Sequence, residues 1–217
     1  MTTVELKKEL IKKVVTPFFK NNGFLKSGVK FYRNLSFFQI EADIQSQRYY
    51  KENGVENFRI HYHISCERFT SFYGRKEYFG GGTIQRESSW ITIDDNTELE
   101  ILSKWIQEEL EKISELIDIY SNPEKVIDRL RETQDITYAF LLKEFGKDKE
   151  LTAWKTLREN ERIKYSSRVK EIEEEKQNLE NRSDSLDKTV RLEGVAMQLR
   201  DLTNKIEKID KEMRMVE

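Results

Sequence analysis

Cysteine is nearly absent from these 217 residues: Cys66 stands alone, which rules out an intrachain disulfide and any Cys-rich zinc site. Proline is as scarce, with only Pro17 and Pro123, so long Pro-rich linkers are excluded. No uncharged apolar run is long enough to span a bilayer, and lysines interrupt residues 1–20 where a signal peptide would carry its apolar stretch. These absences lead us to expect a soluble, cytoplasmic protein with no membrane segment. Charge of one sign is also lacking, because the formal net charge is -2. Nothing in the total calls for a nucleic-acid partner.

Charged residues make up 36% of the chain and hydrophobic ones 37%, a polar balance that suits a large helical surface. The distribution is uneven. Residues 1–50 hold nine Lys or Arg against four Asp or Glu, whereas residues 91–118 hold nine acids against two Lys. Solvation explains such an asymmetry as well as docking does.

Hydrophobic periodicity divides the chain into elements. Val4, Ile11, Val14, Val15, Phe18 and Phe19 mark one face of a helix over residues 3–22, with Pro17 expected to kink it and Asn22-Gly23 to stop it. Residues 24–34 read as a hairpin through Ser27-Gly28. Strict alternation then predicts strands over 36–48 (Phe38, Ile40, Ala42, Ile44) and 58–66 (Phe58, Ile60, Tyr62, Ile64, Cys66), joined around Asn53-Gly54. Residues 67–78 are aromatic and irregular, and Gly80-Gly81-Gly82 leads toward a further strand over 83–93. Leu99, Leu102, Trp105, Ile106, Leu110, Ile113, Leu116 and Ile117 form the apolar face of a long helix, and Pro123 opens another that runs to about Phe145. The expected fold is α+β: an antiparallel sheet of four to five strands packed by helices.

Aromatics thin out after Phe145, which places a domain boundary between residues 1–146 and a helical arm, 147–217. In the arm, Leu192, Val195, Leu199, Leu202, Ile206, Ile209 and Met213 are spaced 3, 4, 3, 4, 3, 4. That narrow stripe needs a facing helix, from the same chain, a second copy or another protein. An earlier seam, Tyr165, Val169, Ile172, Leu179, Leu186 and Val190, runs in a different register. The mismatch favours a helical hairpin over one continuous coiled-coil rod. Leu192, Leu199, Leu202, Ile206 and Ile209 are the residues expected to carry self-association or partner docking.

No enzyme motif stands out, and neither a Gly-x-Ser-x-Gly elbow nor a complete phosphate loop is present. One constellation is suggestive. If Gln45 faces Arg59 across the hairpin, Asp43 faces His61 and Glu41 faces His63, which gathers two imidazoles and two carboxylates for metal binding or acid–base work. The neighbouring carboxylate is expected to raise the histidine pKa. The plainer reading is a solvated face of cross-strand charge pairs, each contributing about 0.2–1 kcal/mol, so no metal or cofactor is assigned. Gln45, Gln47, Arg48, Arg59 and Arg86 offer a groove for an acidic peptide or small ligand. Nucleic acid is a less favoured partner, resting on Lys7, Lys8, Lys12, Lys13, Lys20, Lys26, Lys30 and Arg33 with Tyr32, Tyr49 and Tyr50 for stacking.

The order of these elements resembles a known family. Asn22-Gly23-Phe24, Lys26-Ser27-Gly28, Phe31-Tyr32-Arg33, the strand ending Asp43-Ile44-Gln45-Ser46-Gln47, the strand from Phe58 to Ile64, and Arg86 followed by Trp90 are similar to the bacterial family called domain of unknown function 4304 over about residues 2–145. The chain departs from that pattern at His61 and His63 and in its arm after Gly146. The resemblance implies a bacterial or phage origin and an accessory role, in immunity or mobile-element conflict. It carries over no catalytic residue, because the family has no settled activity.

Overall fold

The computed structural model describes residues 1–47, 54–86, 89–181 and 186–217, with backbone alone for 186–188. The chain divides into two compact units, Met1–Arg129 and Leu130–Glu217. This division falls ahead of the change in composition at residue 146.

In the first unit, α1 (Thr3–Leu10) opens on a capping box: Glu5 N–H donates to Thr2 Oγ1, and Thr2 N–H donates to Glu5 Oε2. The expected kink at Pro17 is realised as a π-helical turn, Ile11–Val15, that passes directly into α2 (Thr16–Asn21). A proline ring clashes with the carbonyl four residues back, here Lys13, and the wider turn relieves that clash. Gly23, at φ 73°, ends α2 as the Asn-Gly signal indicated.

Strands β1 (Leu25–Ser27), β2 (Lys30–Asn34), β3 (Gln39–Ser46), β4 (Glu56–Ser65) and β5 (Tyr78–Ile84) form an antiparallel sheet in that order, with β6 (Ile91–Ile93) also paired to β4. The single strand expected over 83–93 is thus two strands. The segment 67–78 holds a short helix, α3 (Glu67–Tyr73), capped by Cys66 Sγ at its start and closed by left-handed Gly74. Helix α4 (Leu99–Tyr120) supplies the long amphipathic face. Period two sends Phe31, Ile40, Ala42, Ile44, Phe58, Ile60 and Ile64 to one side of the sheet, where they are buried together with Leu10, Val15, Phe19, Ile106 and Leu110. The opposite face carries the polar half of each strand.

Helix α5 (Pro123–Leu130) and helix α6 (Ile136–Glu144) replace the one helix expected over 123–145. The break lies at Gln134, φ 49°, followed by Asp135, whose carboxylate caps α6 by accepting from Thr137 and Tyr138 N–H. Asp competes with the backbone for such hydrogen bonds and so favours a helix start over a helix interior. Within the second unit, α6 packs on α7 (Asp148–Glu180), and α7 pairs with α8 (Leu186–Met215). The Trp154 indole N–H and the Arg158 guanidinium both donate to the Gln134 carbonyl.

Helices α7 and α8 run antiparallel as a hairpin about 50 Å long, fixed by the Arg162–Asp210 ion pair near its foot and by Ile172, Leu179 and Val195 further out. Leu192, Leu199 and Leu202 pack on that cluster, and Ile209 is also buried. The stripe that demanded a partner helix therefore has one in its own chain. Ile172→Ala is expected to destabilise the hairpin by about 2–4 kcal/mol, seen as an earlier loss of helical signal in thermal denaturation. A melt identical to the parent's would mean that this cluster does not hold the helices together.

Candidate functional site

The polar side of the sheet is built by the β3–β4 ladder, whose register pairs Glu41 with His63, Asp43 with His61 and Gln45 with Arg59. These are the pairings that centring the hairpin on the Asn53 loop requires. His63 Nε2 lies 3.0 Å from Glu41 Oε2, with only 16% and 33% of the two side chains exposed. Since an ionised carboxylate can only accept, Nε2 is the protonated nitrogen of the neutral ring. His61 turns the other way, its Nδ1 lying 3.1 Å from Thr83 Oγ1 on β5. Asp43 is the cross-strand neighbour of both His61 and Lys30. The four residues thus share one face: Glu41 and His63 bond to each other, the His61 and His63 rings stand 6.0 Å apart, and His61 bonds outward to Thr83.

Burial outweighs the carboxylate at His63. Loss of solvent pushes its imidazole below the ordinary value, Glu41 opposes that shift, and Lys76 and the neighbouring His61 add to it. The expected rise is therefore a fall, and His63 is neutral at pH 7. Such a ring is ready to accept a proton. Among the described residues, no group of three or more His, Cys, Asp or Glu side chains is placed to hold a metal ion.

The expected groove is brought together in part. Arg59 Nε donates to Gln45 Oε1 at 2.9 Å, and its guanidinium lies 4.7 Å from the centre of the Trp90 ring. Gln47 accepts from Asn57 Nδ2. Arg86 instead lies over Trp105 of α4, and Arg48 falls outside the described residues. Alternation along β6, with Ile91 and Ile93 buried, puts Trp90 and Thr92 on the polar side. Tyr78 stacks beside His63 at 4.4 Å between ring centres. Trp90 and Tyr78 were both missed as members of this face, although the Ile91-Thr92-Ile93 alternation already placed Trp90 there.

Of the lysines read as a nucleic-acid surface, Lys7, Lys13 and Lys26 have partners within the chain. Lys7 bonds to Glu56 Oε2 at 3.0 Å and to Ser46 Oγ, and Lys13 pairs with Glu9. Tyr49 and Tyr50 lie outside the described residues.

The glycine run is part of β5, and its Cβ positions face protein atoms. A Cβ on Gly82 would stand 2.6 Å from the Tyr62 hydroxyl, and one on Gly80 would stand 3.0 Å from that of Tyr120. At Gly81 it would meet the Tyr62 carbonyl at 2.6 Å and His63 Cα at 3.0 Å. These residues are glycine because two tyrosines and the β4 backbone occupy the space.

No protein-family model matches the chain, and no curated protein or solved structure does so either. No described helix is long and apolar enough to cross a membrane.

Two outcomes follow from this geometry. Gly81→Ala forces its methyl group against backbone, so it is expected to cost about 1–3 kcal/mol of folding stability in urea titrations; an unchanged midpoint would show that β5 can shift away. At His63 the folded pKa lies below the unfolded value, so the folded state binds fewer protons between the two. Stability contributed by this residue is thus present above about pH 6.5 and is lost as pH falls toward the folded pKa. Glu41→Gln removes the charge that holds the pKa up and is expected to lower it further, read from the ring-proton NMR titration. A midpoint that does not move would disconnect the two groups.

Proposed function

We propose that this chain is a non-enzymatic interaction protein of bacterial or phage origin, an adaptor that receives a protein partner on the polar face of its sheet. The observation that carries this reading is the Arg59–Trp90 stack, braced by Gln45 on the polar face. Arginine, tryptophan and tyrosine dominate the energetics of protein interfaces: the two rings bury much area at little conformational cost, and the guanidinium adds stacking and several hydrogen bonds. Arg59, Trp90, Tyr32 and Tyr78 bring those types to one surface. Side chains held by neighbours before binding lose less freedom when a partner arrives. The α7–α8 hairpin, with its apolar stripe satisfied internally, serves as a preformed projection for self-association or a second contact. The motif order resembling domain of unknown function 4304 supports an accessory role in immunity or mobile-element conflict.

The His63–Glu41 pair favours a second reading, proton transfer by a neutral imidazole. The pair supplies a base and the group that orients it, which is two parts of an acid–base site.

Capture of partners from a bacterial lysate by the full chain tests the first reading when three proteins are compared. Arg59→Ala/Trp90→Ala is expected to lose a partner that the parent and the hairpin-surface variant Val190→Glu/Met197→Glu both retain, with unchanged circular dichroism. Val190 and Met197 are 62% and 69% exposed, so their replacement leaves the hairpin packing intact. Loss confined to the hairpin variant would move docking to the arm. Equal capture by all three would remove the Arg59–Trp90 stack from the interface.

A further inference from the structure

At the far end of the β3–β4 ladder from Arg59, a cleft of about 600 Å³ opens where the β2–β3 turn meets the start of α3. Its volume is that of a small-molecule site, which typically spans about 300–1,000 Å³. The wall combines two aromatic rings, Phe37 and the buried Phe38, with two cations, Arg68 and Lys76, and with the amides of Asn34 and Gln39. Ser65 and Thr70 add hydroxyls.

The geometry of these groups is specific. Phe37 meets Phe38 edge-on at 5.2 Å between ring centres, which anchors it to the core. The Arg68 guanidinium lies 5.4 Å from the Phe37 ring centre. Lys76 Nζ lies 5.3 Å from the centre of the Tyr78 ring, which in turn packs on His63. Gln39 Nε2 donates to Asn34 Oδ1 at 2.9 Å, so the amide pair is held in place across the turn. Two cations against the single carboxylate of Glu67 leave the lining with an excess positive charge.

We propose that this cleft binds a small ligand in which an anionic group, phosphate or carboxylate, is joined to a flat ring. The anion is held by Arg68 and Lys76, and the ring lies along Phe37. Arginine suits this role because its planar fork matches both oxyanions and also stacks on rings. Lysine supplies a point charge from the other side. The amide pair reads the polar edge of the ring, and Glu67 on the rim repels a second anionic group. The Arg59 end of the docking face lies about 20 Å away along β4, whereas Tyr78, under Lys76, borders both surfaces.

Calorimetric titration of the full chain with phenyl phosphate, benzoate, inorganic phosphate and phenol tests the assignment. Phenyl phosphate or benzoate is expected to bind with one-to-one stoichiometry, more tightly than inorganic phosphate or phenol. Arg68→Gln and Lys76→Gln, both at exposed positions, are each expected to weaken that binding about tenfold. A readout independent of affinity comes from His63, whose pKa Lys76 depresses. An anion neutralising Lys76 is expected to raise the His63 titration midpoint, and in Lys76→Gln the ligand is expected to lose that effect. Absence of saturation with both ring-bearing anions would overturn the proposal. So would inorganic phosphate binding as tightly as phenyl phosphate, or binding that neither substitution alters.

Discussion

The pairing of β3 with β4 is the constraint on which the first unit depends. Eight residue pairs from Gln39–Ser65 to Ser46–Phe58 form one uninterrupted antiparallel ladder. Because side chains alternate along a strand, this register sends Ile40, Ala42, Ile44, Phe58, Ile60 and Ile64 to the helical layer and Glu41, Asp43, Gln45, Arg59, His61 and His63 to the other side. A slip of one strand by one residue would turn that strand over, burying its three polar side chains and exposing its three apolar ones. The hydrophobic cost of that inversion is what makes the His63–Glu41 contact dependable. The polar face needs no independent force to assemble it, since the core assembles it as its own reverse side.

This is also why so much of the unit was legible from residues alone. Two strands with unbroken alternation leave few registers available, and the one that faces Gln45 with Arg59 is realised. Legibility failed where a single local interaction overrode a pattern. The run from Pro123 to Phe145 has helical periodicity throughout, yet the Asp135 carboxylate captures two N–H groups and starts a new helix there. Residues 67–78 have no clean period, and the helix they form is set by Cys66 at one end and Gly74 at the other. The cleft at that helix was invisible for the same reason, since Phe37, Arg68 and Lys76 meet only once α3 has formed. For His63, sequence identified the carboxylate neighbour but not the degree of burial, and burial decides the direction of its pKa.

The second unit follows a different logic. Its two seams share no register because the first, from Tyr165 to Leu179, lies on α7 and the second on the facing α8; Leu186 and Val190, read as continuing the first, fall on α8, where Val190 is exposed. Apolar packing at Ile172, Leu179 and Val195 gives way toward the foot to charge. There Arg162 meets Asp210 at 2.6 Å, and Arg158 bonds to Glu161 at 2.7 Å while standing 3.7 Å from Glu212. Glu212 is almost wholly buried, and loss of solvent raises its carboxyl pKa against the pull of Arg158 and Lys208. A buried carboxylate with cations at the limit of contact adds little to stability. Its effect is on alignment. Sliding α8 by one turn would separate Glu212 from Arg158 and Asp210 from Arg162 together, so the charged foot fixes a register that an apolar stripe alone leaves free.

Both faces of the sheet meet at the glycine run of β5. On the helical side, Gly80 and Gly82 make room for the Tyr120 and Tyr62 rings, and the Tyr120 hydroxyl closes on the Phe79 carbonyl at 2.5 Å. On the polar side, Gly81 stands opposite His63 and offers no side chain to cover it. His63 is therefore flanked by Glu41 on β3 and by bare backbone on β5, with the Tyr78 ring beyond. Glycine weakens a strand, because it packs nothing and loses more freedom on folding than any other residue. Three in succession at the sheet's edge are tolerated because buried Tyr120 and half-buried Tyr62 fill the space on one side. The same backbone leaves one edge of an otherwise paired imidazole open on the other, so the core packing that requires glycine at these positions also determines where the polar face can admit a ligand or a partner's side chain.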